Sequence, residues 1–110
     1  MGDFAKAEPI RLQLLKDNNA NGGEGLTALG DLLELAKLYR DWGKFDKAET
    51  YCRKSLTERE KAYGEDSPLL ADSLQMLSDV LAKLGKTAEA AHFKKRHDDI
   101  VAATGMRSSN

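Results

Sequence analysis

Cysteine is almost absent. Cys52 stands alone among 110 residues, which excludes a disulfide framework and a tetrahedral thiolate metal site. Arg53 and Lys54 follow it, but adjacent residues on a helix do not face each other, so the thiol reads as a small buried hydrophobe. Proline is confined to Pro9 and Pro68, which leaves room for long helices. Aromatic residues make up only 6% of the chain, so leucine and alanine must do most of the packing. Neither sign of charge dominates: 17 Lys+Arg face 18 Asp+Glu, for a net charge of −1. Nucleic-acid-binding domains ordinarily carry a basic excess, and this chain has none. No apolar run approaches the roughly 20 residues that span a bilayer, and the N-terminus shows no run of the signal-peptide kind. These absences predict a protein of the reducing cytoplasm without nucleic-acid or membrane partners. The apolar share, 41%, suffices for one modest core.

What the chain does have is repetition. Residues 2–8 read Gly-Asp-Phe-Ala-Lys-Ala-Glu, and residues 43–49 read Gly-Lys-Phe-Asp-Lys-Ala-Glu. A looser third copy, Gly-Lys-Thr-Ala-Glu-Ala-Ala, occupies 85–91, so the leading glycines are 41 and 42 positions apart. A period of that length marks stacked supersecondary units. Such units touch mainly their neighbours and present a long face suited to holding another protein.

Each unit reads as helix, turn, helix. Leu70, Leu74, Leu77, Leu81 and Leu84 step by four and three, the spacing of one amphipathic face. Ser67 before Pro68 supplies a cap and a proline at the first helical position, so a helix is expected over 68–84, closed by Gly85. The equivalent helix spans 27–42, with Leu29, Leu32, Ala36 and Tyr39 in its stripe, and is closed by Gly43. Both glycines are expected at positive φ in tight turns between antiparallel helices. Second helices follow over 45–62 and 87–103, with Thr87 as a candidate cap for the latter. Asp3 to Lys16 reads as a helix of this second kind: Phe4, Ala7, Ile10 and Leu15 align with Phe45, Ala48, Tyr51 and Leu56. Pro9 in its second turn costs a hydrogen bond. Asn18 to Gly25 is a loop by composition, and Thr104 to Asn110 is expected to be disordered.

The pattern resembles the tetratricopeptide repeat. Leu35-Ala36 and Leu77-Ser78 match its leucine–small pair. Tyr39 and Leu81 match its aromatic position, Gly43 and Gly85 its turn glycine, and Ala48 and Ala90 its alanine. The longer period, with Tyr63-Gly64-Glu65-Asp66-Ser67-Pro68 between units and Leu35-Ala36-Lys37-Leu38-Tyr39 within one, looks like repeats of the kinesin light chain type. The resemblance implies an all-α superhelix of helical hairpins with five helices. It implies one domain over 1–110, comprising a half repeat (2–20), two full repeats (26–63 and 67–104) and a tail (105–110). It further implies protein or peptide binding, without catalysis, cofactor or metal, on a face lined by the first helix of each pair. The lining positions would be Leu33, Glu34, Lys37, Arg40 and Asp41, and then Gln75, Met76, Asp79, Ala82 and Lys83. Glu34 and Met76 stand where kinesin light chain repeats usually carry an asparagine that grips the bound peptide.

Other groupings read as structure. His92 and His97 are about 500° apart around a helix, so they do not share a face for a metal. His97-Asp98-Asp99 and Lys94-Lys95-Arg96 read as solvated surface. Asp98 replaces the leucine of the earlier copies, as suits a helix that is wetted on its outer side. The first helix raises the opposite expectation. It is the second of a pair without its first, so Phe4, Ile10 and Leu14 should be left uncovered. That predicts either a fragment of a longer repeat array or, as an alternative role, self-association into a homodimer through this helix.

Overall fold

The computed structural model describes residues 3–20 and 26–104. Five α-helices follow one another: α1 (Phe4–Ala20), α2 (Leu26–Trp42), α3 (Phe45–Tyr63), α4 (Ala71–Lys83) and α5 (Thr87–Thr104). A 3-10 turn over Pro68–Leu70 leads into α4, and no strand occurs among the described residues. Each helix packs on its neighbours in sequence, whereas α2 and α4 only graze each other. The fold is the expected all-α stack of helical hairpins.

The hairpin turns follow from glycine. Gly43 and Gly85 have φ of 84° and 80°, a region that costs other residues steric strain. In both turns the glycine amide donates to the carbonyl three residues back, at Arg40 and Ala82. The following lysine amide, of Lys44 or Lys86, donates to Tyr39 or Leu81. This pair of bonds satisfies the carbonyls that a helix end leaves free, and it reverses the chain.

The core follows the stripes. Leu32, Leu35, Ala36 and Tyr39 are buried on α2, and Ala48, Cys52, Ser55 and Leu56 on α3. On α4 Leu74, Leu77, Val80 and Leu81 are fully buried, because α3 and α5 both pack against this helix. Burial of each leucine contributes about 1.5–3 kcal/mol. Ala90 and Ile100 supply the smaller buried face of α5. The side chain of Leu29, expected in the α2 stripe, lies outside the described residues.

Small residues permit close approach. The Ser78 hydroxyl donates to the Ala90 carbonyl at 2.9 Å, bringing α4 against the backbone of α5. The hydroxyls of Ser55 and Ser73 share a buried hydrogen bond of 2.9 Å between α3 and α4. Both pairs satisfy polar atoms that would be costly to bury alone.

Several local expectations are corrected. α1 runs to Ala20 rather than Lys16. A 2.8 Å hydrogen bond from Gln13 to Asp17 bridges its last turns, and Asn18, Asn19 and Ala20 continue the helix despite their loop-like composition. The rest of that loop, and the tail 105–110, lie outside the described residues. Ser67 caps as expected, accepting from the Leu69 amide at 3.1 Å, but the turn it opens is 3-10 before it becomes α. Thr87 is the first residue of α5 rather than its cap; the Lys86 carbonyl takes the first helical bond, from Ala90.

α3 and α5 have no close backbone approach, yet charged side chains span between them. Glu49 accepts from Arg53 Nε at 2.8 Å and from Lys86 Nζ, just before α5, at 2.9 Å. Arg53 Nη2 continues to Glu89 at 2.6 Å. Farther along, Arg96 Nη2 lies 2.9 Å from Glu60. Arg96 is therefore a tie between hairpins, and not the solvated side chain that its basic neighbours suggest. Lys94 and Lys95 do lie on the exposed face, paired to Asp98 and Asp99 one turn on.

Candidate partner-binding groove

Where α2 and α4 graze, a groove of about 280 Å³ opens between them. Leu33, Lys37 and Arg40 form one wall, and Asp72, Gln75, Met76 and Asp79 the other. Residues 33, 37 and 40 step by four and three around α2, and residues 72, 76 and 79 do the same on α4. Each wall is thus one face of one helix. The turns at Gly43 and Gly64, on either side of α3, set these helices side by side. A larger hollow of about 390 Å³ lies beside the first turn, lined by residues 43–47 and Leu84. Its only charged groups come from one short segment, and two of them are engaged elsewhere: Lys44 lies over the Trp42 ring and Lys47 pairs with Glu8. The α2/α4 groove instead gathers opposed charges from two helices.

The groove collects six of the positions expected on the inner face: Leu33, Lys37, Arg40, Gln75, Met76 and Asp79. Glu34, Asp41, Ala82 and Lys83 are not among its lining. Glu34 turns toward α1, 3.9 Å from Arg11 and 3.7 Å from Lys37. Asp41 is exposed and lies 3.1 Å from Arg40 Nε. Ala82 and Lys83 are exposed at the end of α4. Asp72 is the lining residue that the sequence reading missed. It lies three residues before Gln75 and seven before Asp79, so extending the face backward by one turn would have found it.

Charge in the groove is arranged by wall. Lys37 and Arg40 face Asp72 and Asp79, yet among the described residues no ion pair joins the walls. Lys37 and Arg40 pair with Glu34 and Asp41 of their own helix. Asp79 accepts from the Gln75 amide at 2.9 Å. Behind the groove lies Cys52, fully buried. Burial pushes its thiol up to about 12, outweighing the lowering by Arg40, so the thiol is inert at neutral pH.

The N-terminal helix is seated differently from the expectation. Phe4 is not left uncovered: its ring stacks on Trp42 at 5.8 Å, and Trp42 in turn lies 6.2 Å from Tyr39. Tyr39 also stacks on Tyr51 at 5.6 Å, so an aromatic ladder links α1, α2 and α3. Ile10 and Leu14 do remain exposed, at 62% and 43%.

Residues 26–97, from the start of α2 into α5, match the tetratricopeptide repeat. The chain belongs to the tetratricopeptide repeat family. Nephrocystin-3 of Xenopus laevis is 35% identical over 81 residues, which cover 73% of this chain and 6% of that protein. Nephrocystin-3 of Xenopus tropicalis is 33% identical over 81 residues, with the same coverage. The chain thus spans only a small part of the length of these relatives. Tetratricopeptide repeats are, in general, modules of protein–protein interaction and a non-catalytic fold. No helix among the described residues is long and apolar enough to cross a membrane. No group of three His, Cys, Asp or Glu among them is placed to hold a metal ion.

Proposed function

We propose that this tetratricopeptide repeat chain is a scaffold or adaptor module that holds a protein or peptide in the α2/α4 groove. The observation that supports it is the convergence of Lys37, Arg40, Asp72 and Asp79, with Leu33 and Met76 among them, without pairing across the gap. Charged groups so placed recognise a partner; they do not stabilise the fold. The two helices are anchored by their buried faces in the core, so little backbone ordering accompanies binding. Reversal of Lys37 and Arg40 to glutamate tests the reading. Proteins captured by the chain should be lost to the variant while circular dichroism stays unchanged. Unaltered affinity in titration calorimetry with a captured partner would move the site elsewhere.

A second reading rests on Ile10 and Leu14, which form an exposed apolar strip on α1 one turn apart. There the chain self-associates through α1. Replacing both by glutamine should convert a concentration-dependent dimer into a monomer in analytical ultracentrifugation. A wild-type chain that sediments as a monomer at every concentration would end this reading.

A further inference from the structure

The division of charge between the two walls says which peptides the groove accepts. We infer that its occupant is a linear segment of a partner protein with an acidic side chain along one edge, a basic side chain along the other, and an apolar side chain between them. This inference rests on the groove being the partner site.

The α2 wall presents Lys37 and Arg40, and the α4 wall presents Asp72 and Asp79. A peptide acidic along both edges gains from the first wall and is repelled by the second. A basic peptide meets the reverse. A wholly apolar segment would strip water from four charges and return no partner to them. Only a segment of split charge satisfies both walls at once, and it does so in one rotation about its axis, since turning it over sets like against like.

The charges are free to act in this way. Arg40 engages only its Nε with Asp41, which leaves the Nη pair for a carboxylate. Asp72 has no ion pair or hydrogen bond among the described residues. Lys37 is held by Glu34 at 3.7 Å, a loose and exposed contact that a ligand carboxylate can displace. Leu33 on one wall and Met76 on the other offer apolar surface, and the thioether adapts to side chains of different shape. At about 280 Å³ the groove receives a few side chains, so the recognised segment is short.

A random linear peptide library displayed on phage tests the inference, selected on the intact chain and counter-selected on Gln75→Trp, which fills the groove. Enriched peptides should pair an acidic and a basic residue around an apolar one. A synthetic copy should bind the Lys37→Glu/Arg40→Glu variant roughly tenfold or more weakly by fluorescence anisotropy. Replacing the peptide's acidic residue by lysine should restore that binding. Asp72→Lys/Asp79→Lys should be rescued in turn by changing the peptide's basic residue to glutamate. Peptides that need the open groove but carry one sign of charge, or are indifferent to these reversals, would overturn the split-charge inference and leave the groove standing. Enrichment that Gln75→Trp does not reduce, or no enrichment at all, would overturn the groove itself.

Discussion

The Tyr39 hydroxyl donates a 2.6 Å hydrogen bond to Glu8 Oε2, tying α1 to α2 across 31 positions of chain. Lys47 approaches the same carboxylate at 3.9 Å. Burial, then the bond to Glu8, then the Glu8 charge raise the Tyr39 phenol above its ordinary value of 10.0. Tyr39→Phe should cost about 1–2 kcal/mol in urea unfolding at pH 7. The unfolded phenol ionises first, so the contribution is complete below pH 10.0 and is lost as pH rises toward the elevated folded value. Wild type and variant should therefore converge in alkali. A gap that stays constant from pH 7 to 11 would contradict this account.

Glu49 behaves oppositely. Burial raises its carboxyl, but the hydrogen bonds from Lys86 and Arg53 outweigh that and hold it below the ordinary 4.5. Its stabilising effect is present above the unfolded value and is lost as pH falls through the lower folded one. Glu49→Gln should destabilise by about 1 kcal/mol at pH 7, a modest figure because Arg53 and Lys86 are largely solvated. The difference should close in acid, below pH 4.5. Thermal melts of both proteins at pH 3 and pH 7 measure it.

Three glycines separate backbone conformation from space. Nothing lies within 4 Å of a Cβ built on Gly30, Gly43 or Gly85. Gly43→Ala and Gly85→Ala should each cost about 1 kcal/mol through positive φ alone. Gly30→Ala, inside α2, should stabilise by about 0.5–1 kcal/mol. Denaturant titration of the three variants gives the signs, and a destabilising Gly30→Ala would show that this helix interior is constrained in a way its geometry does not reveal.

How far these features were legible depended on whether they are local. The five helices and both hairpin glycines are periodic or short-range, and they stood in the sequence. So did most of the groove, since a helix face repeats by simple steps. The links that need the finished fold did not. Phe4 finds Trp42 across the first hairpin, Arg53 finds Glu89, and Arg96 finds Glu60, each more than 30 positions away. Local reading made Phe4 a sticky surface and Arg96 a solvated charge; tertiary packing half-buries both against neighbouring helices. At Asn18 and Asn19 turn propensity gave way to continuation of an established helix, since adding one residue to a helix is far easier than starting one.

Cys52 reports on the integrity of the core. With its thiol pushed up to about 12 by burial, native protein at pH 8 should react with a thiol-specific reagent only as fast as the stack opens. Labelling followed through a urea titration should track the loss of helicity. Cys52→Ser should cost about 1–3 kcal/mol, because a hydroxyl is costlier than a thiol to bury among apolar side chains. Rapid labelling of the native chain would place the thiol at the surface.

The shared hydrogen bond of Ser55 and Ser73 has a consequence for how such a chain can change over generations. Either hydroxyl alone, facing an alanine, would be stranded in a dry interface at about 1–3 kcal/mol, whereas two alanines together would be nearly neutral. Serine pair and alanine pair are both viable, but the single-step intermediates between them are not equally so. Drift at one of these sites is therefore hostage to the other, and descendants should exchange the two residues jointly or keep both.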